Sequence, residues 1–193
     1  MSKLVATLSI ICVFGSTALG GSIKGKIESS KSLKSSQAAT VVWVEGLPAG
    51  EPNEATPTMS QSGIQFLPRV MTVVAGQTVD FPNEDDVAHN VFSLSKANKF
   101  KLGIYPKGQS RQVTFAKEGV IDLFCSIHRH MHAVIVVTPS EHAALTEVGK
   151  PFEIANIPPG TYTVKIWNSA HKLVTKEVTV GDGPTELDVT LAD

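Results

Sequence analysis

The sequence predicts an all-β protein, and three observations carry that prediction. No stretch sustains the three-and-four spacing of apolar residues that a helix needs. Short runs rich in Val, Ile and Thr alternate apolar with polar side chains and then stop at turn residues. Fifteen Gly and eleven Pro in 193 residues supply those stops. Hydrophobic residues make up 42% of the chain and charged residues 18%, enough apolar material for a core and too much for a disordered chain. Seventeen Lys and Arg stand against eighteen Asp and Glu, so no net positive field marks a nucleic-acid partner or a polybasic membrane patch.

The first twenty residues read as a leader. Lys3 precedes an uncharged stretch from Leu4 to Leu19, too short to span a bilayer comfortably. Ala18 and Gly20 are small residues where a signal peptidase reads its sites, so export to the periplasm or an equivalent compartment is expected, with cleavage at Gly20–Gly21. Cleavage would remove Cys12 and leave Cys125 alone. A disulfide within the mature chain is then excluded, and a lone thiol in an oxidising compartment is a liability unless something occupies it.

Strands are expected at Ile23 to Ile27 and at Ala39 to Val44. Residues 48–62, rich in Pro, Gly, Asn, Glu, Thr and Ser, read as a long loop. Val70 to Val74 and Thr78 to Phe81, separated by Ala75-Gly76-Gln77, read as a hairpin. Further strands are expected at His89 to Leu94, Arg111 to Phe115, Val120 to Phe124 and Ala133 to Thr138. A single helical turn or two is expected at Ser140 to Leu145, with Ser140 as N-cap. Beyond residue 149, strands at Pro151 to Ile154, Thr161 to Trp167, Val174 to Val180 and Glu186 to Leu191 recur about every ten residues, as in a β-sandwich. Trp43 and Trp167 stand in alternating strand contexts and read as core.

The chemistry is concentrated in Phe124-Cys125-Ser126-Ile127-His128-Arg129-His130-Met131-His132. A thiolate, imidazoles and a thioether within eight residues suit copper: one Cys and two His in a trigonal set, with a weak axial Met, make an electron-transfer centre. The second His must come from elsewhere, and His89, which follows a polar loop and opens a strand, is the candidate. Three other readings compete. Cys125 as a small buried hydrophobe leaves the neighbouring ligands unexplained. A structural zinc site would use Cys and His but make poor use of Met. A Cys–His hydrolase needs an orienting third group and an oxyanion hole, for which no pattern is present. His142 and His171 read as surface residues, and Glu84-Asp85-Asp86 as a solvated acidic turn.

Cys125-x-x-His128-x-x-Met131 with His89-Asn90-Val91 upstream resembles the cupredoxin family, and its short spacing is most like the amicyanin type. Phe81-Pro82-Asn83, His89-Asn90-Val91-Phe92-Ser93 and Phe124-Cys125-Ser126-Ile127-His128 are similar to cupredoxin-like methylamine utilization proteins, a label that does not establish a substrate. The resemblance covers residues 64–138 and implies a Greek-key cupredoxin β-sandwich over residues 58–138. It implies one copper ion per chain, held by His89, Cys125 and His128 with Met131 as the long axial ligand, and Asn90 tying the two ligand loops together. His130 or solvent is the alternative axial ligand, and His132 is expected to point away as the strand resumes. Arg129 would favour Cu(I). The resemblance further implies a non-enzymatic carrier of single electrons between a redox donor and acceptor, such as a c-type cytochrome or a dehydrogenase. The His128 ring edge would be the exit and Ile127 part of an apolar docking surface.

The last part of the chain, Phe152 to Leu191 around Pro158-Pro159-Gly160-Thr161-Tyr162-Thr163-Val164, resembles the carboxypeptidase-regulatory-like β-sandwich, an immunoglobulin-like fold. Residues 21–50 fit its first strands. The cupredoxin is therefore expected to be inserted in, or followed by, this smaller sandwich, made of residues 21–50 and 139–193, with crossings at 47–63 and 139–150. Two further functions compete with electron transfer: copper storage, delivery or sensing, with His130 and His132 as extra ligands, and a metal-free structural or adhesion module.

Overall fold

A computed structural model describes residues 20–30, 32–33 and 38–192. The expected leader and Cys12 lie outside the described residues. Within them the chain is all β, with no helix. The strands are β1 (Gly21–Ser29), β2 (Ala39–Glu45), β3 (Ser60–Gln61), β4 (Phe66–Leu67), β5 (Val70–Val74), β6 (Thr78–Asp80), β7 (His89–Ser93), β8 (Phe100–Tyr105) and β9 (Gln112–Thr114). They continue as β10 (Gly119–Phe124), β11 (His132–Thr138), β12 (Ala143–Glu147), β13 (Pro151–Ile157), β14 (Gly160–Asn168), β15 (Val174–Val180), β16 (Pro184–Glu186) and β17 (Val189–Leu191).

Three sheets and two short ribbons result. In the first, β1 runs antiparallel to β13 and parallel to β16 and β17. The second has the order β12-β2-β14-β15, and the third β5-β11-β10-β7-β8. The ribbons are β3-β4 and β6-β9. Strands from both ends of the described chain thus share the first two sheets, while the third is built from the middle alone.

Side-chain alternation stacks these sheets. One core lies between the first and second sheets, where Ile23 and Ile27 meet Val42, Val44, Val164 and Ile166. Another lies between the third sheet and the ribbons, where Ala133, Ile135 and Val137 meet Phe66, Val79, Phe81 and Phe115. The intervening residues of the same strands form a third layer: Val41, Trp43 and Trp167 pack on Val134 and Val136. Both faces of β2 and β11 are therefore covered, which explains why those strands read as unbroken apolar runs.

Four local expectations are corrected. Ser140 to Leu145, expected as a helical turn or two, are not helical: Ala143–Glu147 form β12 on the edge of β2, with Ala143 opposite Trp43 and Glu147 opposite Ala39. The Ser140 hydroxyl does accept the His142 N–H at 3.3 Å, but it caps a turn, and sheet pairing takes the residues beyond. β5 and β6 are not a hairpin. The turn between them forms, with the Gln77 N–H on Val74 O at 3.0 Å, yet β5 pairs parallel to β11 and β6 pairs with β9. Both strands send a valine into one core from different layers, so the turn is a corner between sheets. β8 is a strand the sequence reading left out, although Phe100, Leu102 and Ile104 alternate with Lys101 and Gly103. The final strand is divided at Leu187–Asp188 into β16 and β17, where the chain wraps Gly25: a Cβ there would lie 2.0 Å from Leu187 O.

Candidate metal centre

The third sheet brings the candidate ligand residues to one end. β7 and β10 are antiparallel neighbours, with Phe124 opposite Phe92. His89 opens β7, Cys125 follows the last residue of β10, and these positions meet at the same edge. The chain then turns back through His128 into β11. The Met131 N–H donates to His128 O at 3.0 Å and the Cys125 N–H to Met131 O at 3.4 Å, closing the loop on itself.

Three side-chain atoms face one another there. His89 Nδ1 lies 3.0 Å from His128 Nδ1, and Cys125 Sγ lies 4.0 Å from the first and 3.9 Å from the second. His89 and Cys125 are buried and His128 is half-buried. The triangle fits a single ion: a point about 2.0 Å from each nitrogen falls about 2.3 Å from the sulfur, the lengths of metal–imidazole and metal–thiolate bonds. Among the described residues this is the one cluster of His, Cys, Asp or Glu with such convergence.

The other expected residues separate clearly. Met131 is buried in the same core cluster as Cys125. His130 is exposed, its ring centre 6.4 Å from that of His128. His132 is turned away from the triangle, with Nε2 2.8 Å from Asp122 Oδ1 and its ring 5.0 Å from Phe124. Arg129 is exposed, and Ile127 is 45% exposed beside His128. His142 and His171 are half-buried, not free on the surface. Each joins distant segments, His142 through Nε2 to Asn156 O at 3.2 Å and His171 through Nε2 to Ser29 Oγ at 2.9 Å.

A second ring of groups supports the triangle. Asn90, next to His89, accepts through Oδ1 from the Ser126 N–H at 2.8 Å, the Ser126 hydroxyl at 3.0 Å and the Cys125 thiol at 3.4 Å. Its buried Nδ2 has no acceptor among the described residues, so the oxygen alone sets the amide's direction. Asp85 was missed as a supporting residue. The acidic turn is not uniformly solvated: Asp86 is 91% exposed and pairs with Lys107, whereas Asp85 is 14% exposed. Asp85 Oδ2 lies 2.8 Å from His89 Nε2. Burial works against its charge, but the Ile64 and Gly63 N–H groups and His89 outweigh that and hold the carboxyl below its ordinary range. The four-residue spacing of Asp85 and His89 was the available signal, but it is informative only once the loop folds back. Beneath them, Tyr105 faces His89 across the β7-β8 pair and donates to Phe81 O at 2.8 Å.

Residues 53–138 match the family model of copper binding proteins, the plastocyanin/azurin family. Residues 53–138 are cupredoxin-like. The cupredoxin-like part contains the His89, Cys125 and His128 triangle, a donor set compatible with one copper ion. Among solved structures, a reduced amicyanin mutant is 21% identical, with a TM-score of 0.42 over 50% of this chain and 98% of that one. A purple cupredoxin from Nitrosopumilus maritimus is 22% identical, with a TM-score of 0.39 over 42% of this chain and 99% of that one. The copper-containing nitrite reductase of Thermus scotoductus SA-01 is 26% identical, with a TM-score of 0.42 over 58% of this chain but 28% of the reductase. No curated protein matches the chain.

Proposed function

We propose that this protein is an exported carrier of single electrons, in which His89 Nδ1, Cys125 Sγ and His128 Nδ1, with Met131 as a fourth donor, would hold one copper ion. The observation that supports it is the triangle of two imidazole nitrogens and one sulfur, 3.0–4.0 Å apart and largely shielded from water. Copper in such a set supplies a Cu(II)/Cu(I) couple. The protein's part is rigidity. Asn90 and the Cys125–Met131 backbone contact hold the ligand loop against β7, so its donors would move little when charge changes.

His128 is the half-buried member of the set, and its ring would be the route to a partner. Exposed Ile127 beside it suits an apolar docking contact with a redox donor or acceptor. In the same reading the cupredoxin-like unit is nested in a smaller sandwich built from residues 21–50 and 139–193, which carries it through the Trp43 and Trp167 layer.

The test is an absorption spectrum after addition of Cu(II). A reversible band near about 600 nm, lost in Cys125→Ser, is expected of thiolate–copper coordination. A band that survives Cys125→Ser would overturn the ligand set. Weak absorption with several copper equivalents would indicate delivery or storage instead.

A further inference from the structure

We infer that Asp85, clamped by the strained turn of residues 62–65, is a positioning residue that sets the tautomer and direction of the His89 ring. The inference deepens the copper reading and rests on it for the identity of the ion.

A carboxylate only accepts hydrogen bonds. Asp85 Oδ2 at 2.8 Å from His89 Nε2 therefore requires the proton of a neutral His89 ring to sit on Nε2. That leaves a bare lone pair on Nδ1, the atom 3.0 Å from His128 Nδ1 and 4.0 Å from Cys125 Sγ. With the opposite tautomer His89 would present an N–H to the triangle and offer no lone pair to an ion.

Asp85 is itself held on several sides. The Gly63 N–H reaches Oδ1 at 2.6 Å, the Ile64 N–H reaches Oδ2 at 2.8 Å, and the Asp85 N–H reaches Asn83 Oδ1 at 3.0 Å. Successive N–H groups of a turn that face one carboxylate make an anion-binding concavity. The first two donors belong to a turn in which consecutive residues have positive φ, +63° at Gly63 and +56° at Ile64. Glycine adopts this conformation freely; a β-branched residue rarely does. Ile64 also packs against the core below, so packing and the carboxylate together hold it there. A hairpin turn that needs no ligand would be served better by Asn-Gly.

The test uses ring-nitrogen NMR on the metal-free protein together with copper affinity. In the wild type, His89 is expected to show a protonated Nε2 and a bare Nδ1. In Asp85→Ala the two tautomers should mix and copper affinity should fall about 10- to 100-fold. Asp85→Asn, of nearly equal volume, serves if the alanine variant does not fold. It should shift the His89 nitrogens in the same direction, because its amide cannot accept from the turn and the ring as the carboxylate does. A His89 ring that keeps Nε2 protonated in these variants, with affinity within about twofold of wild type, would overturn the inference and leave packing as the orienting force. If the tautomer responds but no variant, nor the wild type, binds copper, the positioning role stands and the copper reading falls.

Discussion

Asn90 Oδ1 accepts the Ser126 backbone N–H at 2.8 Å, joining β7 to the loop that follows β10. Both groups lie next to proposed ligands, so this contact couples His89 to Cys125. Asn90→Ala would leave the Ser126 N–H without its acceptor, at a cost of about 1–3 kcal/mol. Removing the unpartnered Nδ2 offsets part of that, so the lower half of the range is expected. Urea denaturation measures the stability, and a broadened or shifted copper absorption would report the loosened loop.

Trp43 tests the layer between the second and third sheets. It is 5% exposed and packs with Val41, Val134, Val136 and Trp167. Trp43→Ala should cost about 3–5 kcal/mol, as truncation of a buried large aromatic does. A loss below about 1 kcal/mol in denaturant titration would show that the two units do not share a packed face.

Gly25 tests the closure of the first sheet. A methyl group there would overlap Leu187 O, a backbone atom that cannot swing aside. Gly25→Ala should destabilise the chain by about 1–3 kcal/mol or more, through overpacking. If the first sheet is a separate layer from the metal triangle, the copper absorption of the folded variant should be unchanged.

Tyr105 carries a pH dependence. Burial, the largest cause, pushes its phenol up to about 12 from an ordinary value near 10. Between those values the folded chain keeps a proton that the unfolded chain releases, so stability should fall as pH rises through that window. Tyr105→Phe should flatten the fall. Alkaline denaturation series on both proteins, with ultraviolet titration of the phenol, measure it.

Much of the cupredoxin-like part was legible in order along the chain. β7, β10 and β11 were expected within a residue or two because each is a short run rich in apolar and β-branched residues that stops at a turn. The Cys125, His128 and Met131 spacing pointed to a soft-metal loop, and His89 was placed with it from its position at the head of a strand. The hairpin read at Val70 to Phe81 failed because a short turn specifies a reversal of direction but not which sheet receives the next strand. The helical turn at Ser140 failed because a local cap competes poorly with five residues paired along β2. Asp85 was hidden for a related reason: Asp85 and Asp86 are chemically alike, and only the fold buries one against His89 while leaving the other in water.

Composition and periodicity alone determined the β class, the positions of most strands and the donor types gathered around Cys125, since these follow from neighbours a few residues apart. The tertiary structure decided what covers each face and what meets across long separations. It set Val41 and Trp43 against Val134 and Val136, turned His132 toward Asp122, and closed a hairpin turn over Asp85 behind His89. Those outcomes depend on how sheets stack and loops return, and a period of two along a strand names two faces without saying what either will touch.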